Sequence, residues 1–271
     1  MTDIIKPLAY YATLEHAQWI LGMDGQYLDQ IGKCRNLQAA SRMMRDYNVA
    51  RTIWGKNGLR NLAQAVFDKL EHETWPDNLM ARARWCASIA EDHSGQQSTK
   101  GNRKQGAPYS AVTKLCWFLH PVGWTMYDRF ARLGLTGLKG ANGTERFTSF
   151  YDALDRTGFS DKLACINEVI EEELGPNALY AERIIDKFLM MRGKIWSLSD
   201  DEARADEIGQ LTVHNQLFLD NPLILNHTGH RSLGSRIDRL ATKVSEVLPN
   251  DSFMTSHVEM QLKKHPELGR S

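Results

Sequence analysis

Apolar residues recur at helical spacing along almost the whole chain, and no pair of strands is indicated. A helix with Ser160 as its N-cap is expected to end at Gly175, and Gly193 is expected to stop the helix that follows it. The spacing predicts helices at about 13–20, 37–47, 76–92, 160–174, 178–192 and 232–248. The chain is therefore predicted to be all-α.

The composition places the chain among soluble globular proteins. Its 271 residues suffice for one large domain or two small ones, with 42% hydrophobic and 24% charged residues. No run approaches the roughly 18 apolar residues of a membrane span, and the N-terminus lacks the pattern of a secretory signal. The four cysteines are far apart, which favours free thiols. We expect a cytoplasmic monomer without membrane contact.

The most informative stretch runs from Ser110 to Asp128 and places a lysine among apolar residues near a helix start. If Ser110 is the N-cap, Lys114 lies in about the first turn, where the helix dipole disfavours an ammonium. Burial among neighbours such as Trp117 would disfavour the charge further. Both effects favour the neutral amine, which is the nucleophilic form.

A carboxylate is expected at the start of the next helix. His120-Pro121 breaks the lysine helix, and either Thr125 or Asp128 can cap the following one. An ionised aspartate there could stabilise a positive sugar carbon or take a proton from Lys114. Spacing alone leaves a second interpretation open, in which Asp128 is only a cap and Lys114 only a snorkelling side chain.

Basic residues are concentrated around this stretch, although the whole chain has zero net charge. Residues 100–146 contain eight basic and two acidic side chains, a local charge of +6 that suits a phosphate backbone. Ordinary solvated side chains around loops would give the same count. The predicted DNA contacts are Lys100, Arg103, Lys104, Arg129 and Arg132.

Two segments resemble a known family. Thr113-Lys-Leu-Cys-Trp-Phe-Leu-His-Pro121, followed by Met126-Tyr-Asp128, resembles the Ser/Thr-Lys-aliphatic-x-aromatic-Leu-x-Pro…Ile-Tyr/Trp-Asp signature of bacterial 8-oxoguanine DNA glycosylase-fold proteins. These belong to the helix-hairpin-helix DNA glycosylase superfamily. The segment from Glu182 to Gly193 is similar to their closing helix. The resemblance covers about residues 50–195 and is close over some 30 of them.

The resemblance implies a fold and two catalytic roles. A glycosylase-like helical bundle with a central cleft would occupy 51–196, between an N-terminal helical segment (1–50) and a helical C-terminal extension (197–271). Lys114 matches the lysine that attacks the sugar C1′, and Asp128 matches the aspartate that activates it. The loop Lys104-Gln-Gly-Ala-Pro-Tyr-Ser110 would replace the DNA-anchoring hairpin, which usually reads Leu-Pro-Gly-Val-Gly.

A glycosylase must also flip its target base out of the stack and into a pocket. Four aromatic residues flank the catalytic candidates and are predicted to line it, although the first two also fit a core: Trp117, Phe118, Trp124 and Tyr127. Three polar residues of the closing helix either face the cleft or lie on a solvated surface: Glu182, Arg183 and Asp186.

The leading hypothesis is a DNA glycosylase with AP-lyase activity, acting on a base flipped out of DNA. No cofactor is expected, and His227 and His230 lack further ligands for a metal site. The substrate is either an oxidised host base or a hypermodified phage base removed in antiviral defence. An alternative from another class is a non-catalytic, all-helical DNA-binding or protein-interaction module.

Overall fold

The computed structural model describes residues 6–55, 57–95, 105–137, 144–198, 200–221, 233–255 and 259. These residues form twelve α-helices and no strand, which confirms the all-α prediction. The helices are α1 (Leu8–Leu21), α2 (Met23–Tyr27), α3 (Leu37–Asp46), α4 (Gly58–His72), α5 (Leu79–Asp92), α6 (Tyr109–Leu119), α7 (Arg129–Thr136), α8 (Thr144–Arg156), α9 (Phe159–Leu174), α10 (Ala181–Ser197), α11 (Asp201–Leu219) and α12 (Leu233–Val247). None of those described is long and apolar enough to cross a membrane.

Two predicted helix starts are displaced. Thr13 lies inside α1, whose first residue is Leu8. Ser160 is the second residue of α9, and Gly158 takes the capping position with a φ of +81°. This left-handed conformation favours glycine and lets the chain turn sharply out of α8.

The described residues form two compact units. The central unit contains those from 22–127 and 140–152, and the terminal unit contains those from 1–21, 128–139 and 153–271. The domain boundaries predicted near residues 50 and 196 fall inside these units. The grouping depends on α1 packing against α10 and α12. Such long-range contacts leave no local signal in the sequence.

Helix α6 is the core of the central unit. It packs against α3, α4, α5 and a π-helical turn at Leu28–Lys33. Nine of its eleven residues are buried, which explains why its sequence is apolar on every face. The π-helical turn approaches α6 so closely that a Cβ on Gly32 would lie 2.6 Å from the Phe118 carbonyl oxygen.

The backbones of helices α7 and α10 approach each other closely in the terminal unit. A Cβ on Gly134 would lie 2.0 Å from the Leu189 carbonyl oxygen, and one on Gly193 would lie 1.9 Å from that of Phe130. Gly193 therefore permits a helix crossing and does not stop a helix, since α10 continues to Ser197. The prediction of a stop at Gly193 was wrong because tertiary packing, not capping, requires glycine there.

Candidate active site

Lys114 is buried within α6, with only 3% of its surface exposed. The helix begins at Tyr109 after Pro108, so Ser110 lies inside it and Lys114 is in its second turn. The predicted N-cap at Ser110 was therefore wrong. Instead, Ser110 lies one turn before Lys114 on the same face, and the Lys114 Nζ donates a hydrogen bond to the Ser110 Oγ at 2.8 Å.

The same helix also holds the backbone of Tyr127. The Lys114 Nζ lies 3.5 Å from the Tyr127 carbonyl oxygen, which accepts a second hydrogen bond. The neighbouring Thr113 Oγ1 accepts a hydrogen bond from the Tyr127 N–H at 3.0 Å. Thr113 and Lys114 thus engage both polar backbone groups of Tyr127, the residue that precedes Asp128 in the chain.

A further hydrogen bond fixes this segment within the central unit. The Tyr151 hydroxyl donates to the Thr125 carbonyl oxygen at 2.9 Å, and both residues are buried. Sequence reasoning gave Ser110 only a capping role and assigned no role to Thr113 or Tyr151. The hydroxyl residues four and one before Lys114 were visible as a pattern, whereas the pairing with Tyr151 depends on tertiary contacts.

Asp128 is the N-cap of α7. It has an extended backbone, with φ −139° and ψ 153°, and its Oδ1 accepts a hydrogen bond from the Phe130 N–H at 2.8 Å. Of the two residues predicted to cap this helix, Asp128 is the one that does so. The hydrogen bond and the helix dipole both favour the ionised carboxylate. Lys114 belongs to the central unit and Asp128 to the terminal unit, so their pairing remains a prediction.

The four aromatic residues predicted to line a base pocket are core residues. Each is at most 1% exposed: Trp117, Phe118, Trp124 and Tyr127. The Phe118 ring meets Tyr27 and Tyr47 edge-on, with centroids 5.7 and 5.8 Å away. The Trp124 ring meets Trp75 in the same way, at 5.2 Å. In this conformation the four side chains therefore pack in the core of the central unit and not in an open pocket, and their role in binding a base stays a prediction.

The predicted DNA-binding residues differ in whether the structure describes them and in how exposed they are. Lys100, Arg103 and Lys104 lie outside the described residues. Arg129 is exposed, next to the Asp128 cap. Arg132 is only 3% exposed, so its guanidinium is not on the surface, where a phosphate contact would need it.

The loop between α5 and α6 is closed at its base by Gln105, a residue that sequence reasoning missed. The Gly95 N–H donates to the Gln105 carbonyl oxygen at 2.8 Å, joining the two ends of the loop. The buried Gln105 side chain donates to the His93 carbonyl oxygen at 2.6 Å and accepts from the Trp54 N–H at 2.8 Å. Gln105 therefore links the segment just before α6 to Gly95, His93 and Trp54.

The polar residues predicted on the closing helix are buried in the terminal unit. Glu182, Arg183 and Asp186 of α10 are at most 2% exposed, which excludes a solvated helix face. Arg183 forms an ion pair with Asp186. Lys187 forms another with Glu15 of α1 at 2.5 Å. Buried charges need such partners, and the Lys187–Glu15 pair also links α10 to α1.

His16 lies beside this buried ionic cluster. Its Nε2 accepts a hydrogen bond from the Tyr180 N–H at 3.0 Å. Burial lowers the pKa of His16 well below its ordinary value, and the positive charges of Arg183 and Lys187 lower it further. The imidazole is therefore neutral at physiological pH, as its acceptor role requires.

No protein-family model, curated protein or solved structure matches this chain. His227 and His230 lie outside the described residues, and the part of the chain that is described contains no group of three potential metal ligands.

Proposed function

We propose that this protein is a DNA glycosylase with AP-lyase activity, in which Lys114 is the nucleophile and Asp128 the carboxylate that assists it. The observation that carries the proposal is the burial of Lys114 beside the Tyr127 carbonyl, one residue before Asp128. Lysine is almost never fully buried without a partner or a task, because water solvates its charge so well.

The chemistry uses an amine as the electron-pair donor. The Lys114 amine, once it has given up its proton, attacks the sugar C1′, and the N-glycosidic bond breaks, so that its electron pair leaves with the base, which gains a proton. The amine then loses a proton as the sugar ring opens to a Schiff base. Loss of the C2′ proton from this imine then drives β-elimination, in which the 3′ C–O bond breaks, its electron pair leaves with the 3′ phosphate and the strand is nicked. Asp128 would stabilise the positive sugar and accept the proton of the lysine.

Borohydride trapping tests this mechanism, because it reduces the Schiff base to a stable secondary amine. We expect a covalent adduct with DNA that carries an abasic site or the right modified base, and mass mapping should place the adduct on Lys114. Lys114→Gln should abolish it. Lys69→Gln is the matched control, since Lys69 lies in the same unit and pairs with Glu73 near the surface. Absence of a Lys114-linked adduct on every substrate would refute the mechanism.

The identity of the excised base has to be determined separately, because the buried aromatic residues do not define a base pocket. Mass spectrometry of bases released from a panel of DNAs would identify the substrate. Release from phage DNA with bulky cytosine modifications, and not from oxidised DNA, would support a role in antiviral defence. Release of oxidised purines alone would support repair of host DNA.

A second candidate function is a helical DNA-binding or protein-interaction module without catalysis. The burial of the four aromatic residues favours it, because it removes the expected platform for a flipped base. The two candidates differ in what Lys114→Gln and Asp128→Asn do. A binding module would keep its binding activity in both variants, whereas a glycosylase would lose base release in both.

A further inference from the structure

A basic cavity lies in the central unit, on a part of the chain that the proposed function does not use. It has a volume of about 890 Å³ and lies among the start of α3, the start of α4 and the segment that joins the two helices. Three arginines line it, Arg35, Arg45 and Arg60, and its lining includes no acidic residue. All three are exposed at the surface.

The positive charge of this cavity is weakly compensated. Arg35 reaches the Glu71 carboxylate at 3.5 Å, with both side chains about half exposed, so this pair contributes little. Arg45 and Arg60 form no ion pair with any described residue. The nearby Asp46 carboxylate accepts a hydrogen bond from the Tyr27 hydroxyl.

The start of α4 adds hydrogen-bond donors to the same cavity. The N-cap residue Asn57 makes no side-chain capping bond, so the N–H groups of the first turn receive no acceptor from it. Leu59 and Arg60 of this turn line the cavity. The start of α3, by contrast, is capped by Asn36, which accepts from two backbone N–H groups. An anion in the cavity would lie near the guanidinium groups of Arg45 and Arg60 and near the positive end of the α4 dipole.

The positive charge extends beyond the residues that line the cavity. The exposed Arg42 and Arg51 are next in the chain to lining residues Ser41 and Ala50. The sequence from 33 to 60 contains seven basic residues and one acidic residue, which equals the +6 of residues 100–146. A surface of this kind fits a chain of phosphates better than one small ion.

We propose that this cavity binds backbone phosphates of DNA, with Arg45 and Arg60 as the principal contacts. The choice of DNA rests on the proposed function, whereas the binding of phosphate rests on the cavity itself. Guanidinium groups suit this role because their forked donors match phosphate oxygens. The site would hold the DNA strand and take no part in the chemistry.

Fluorescence anisotropy with a labelled duplex over a series of salt concentrations tests the proposal. Each neutralised phosphate contributes about 0.9 to the slope of log affinity against log salt concentration. Arg45→Gln/Arg60→Gln should therefore lower the slope by about 1–2 and weaken binding roughly tenfold at low salt. Lys69→Gln/Arg84→Gln removes the same charge elsewhere in the unit, where Arg84 is exposed on α5, and should change the slope less.

Three results separate the explanations, once circular dichroism has confirmed that the variants fold. An unchanged slope and affinity in Arg45→Gln/Arg60→Gln would overturn the proposal. Calorimetric binding of inorganic phosphate that these substitutions abolish, without any effect on DNA, would overturn the assignment to DNA. A lowered slope without any Lys114 adduct would support this site while refuting the glycosylase mechanism.

Discussion

The crossing of α7 and α10 gives the sharpest prediction about stability. Alanine at Gly193 would place its Cβ 1.9 Å from the Phe130 carbonyl oxygen and 2.7 Å from the Gly134 nitrogen. Both are backbone atoms of α7, so no side-chain rotation can relieve the contact. Since real Cβ contacts essentially never fall below 3.0 Å, the two helices would have to separate by more than 1 Å.

That separation would also disturb a buried hydrogen bond across the crossing. The Arg192 Nε donates to the Gly134 carbonyl oxygen at 2.7 Å. Overpacking of this kind typically costs about 1–3 kcal/mol and occasionally more. Replacing glycine by alanine inside a helix stabilises the helix by up to about 1 kcal/mol, which offsets part of this cost. Because the contact is with backbone, we expect Gly193→Ala to lower the free energy of unfolding by about 2 kcal/mol.

Thermal unfolding followed by circular dichroism measures this effect. At roughly 2–4 °C per kcal/mol for a chain somewhat shorter than this one, Gly193→Ala should lower the Tm by about 4–8 °C. Gly209→Ala is the matched control, because Gly209 is an exposed residue of α11 and its added Cβ would meet nothing within 4 Å. The control should keep or raise the Tm. A Gly193→Ala protein as stable as the control would refute the assigned crossing.

Three further predictions concern single side chains. Thr113→Val removes the acceptor for the buried Tyr127 N–H and should lower the free energy of urea unfolding by about 1–3 kcal/mol, whereas Thr113→Ser should restore it. Asp128→Ala removes the α7 cap and should cost about 0.5–2 kcal/mol in the same assay, while Asp128→Asn should keep most of the stability and lose the trapped adduct. The pKa of His16 is lowered in the folded protein, so the unfolded chain binds a proton first as the pH falls below about 6.5. The contribution of His16 to the free energy of unfolding is therefore fully present above that pH. Below it, the free energy of unfolding should fall by up to about 1.4 kcal/mol per pH unit. His16→Asn should flatten that part of the pH profile, and an equally steep profile would contradict the assignment.

The fold class was predictable because helical periodicity is a local property. Helix α5 begins and ends within a few residues of its prediction, and its apolar spacing needs no tertiary information. Gly193 shows where this reasoning fails. A glycine after a helical run is typical of a C-cap, but only the neighbouring α7 shows that a close crossing requires it.

The candidate site shows the same division between local and long-range information. The cap at Asp128 and the hydrogen bond from Lys114 to Ser110 both depend on residues within four positions, but only the cap was predicted, as one of two alternatives. Aromatic residues give the same sequence pattern in a core and in a pocket, so the sequence could not assign Trp124 to one or the other. The basic cavity was missed because its arginines become neighbours only when α3 and α4 pack together.

The peptide bond between Tyr127 and Asp128 joins the two units, and each unit fixes its own side of that bond. In the central unit, Thr113 and Lys114 hold the Tyr127 backbone. In the terminal unit, Asp128 begins α7, which the close approach at Gly193 holds against α10. A displacement of about 1 Å can lower the rate of an enzyme about 100-fold. Because Thr113 holds the Tyr127 backbone beside Lys114, we expect Thr113 to act as a positioning residue in the proposed reaction, although it provides no reacting group.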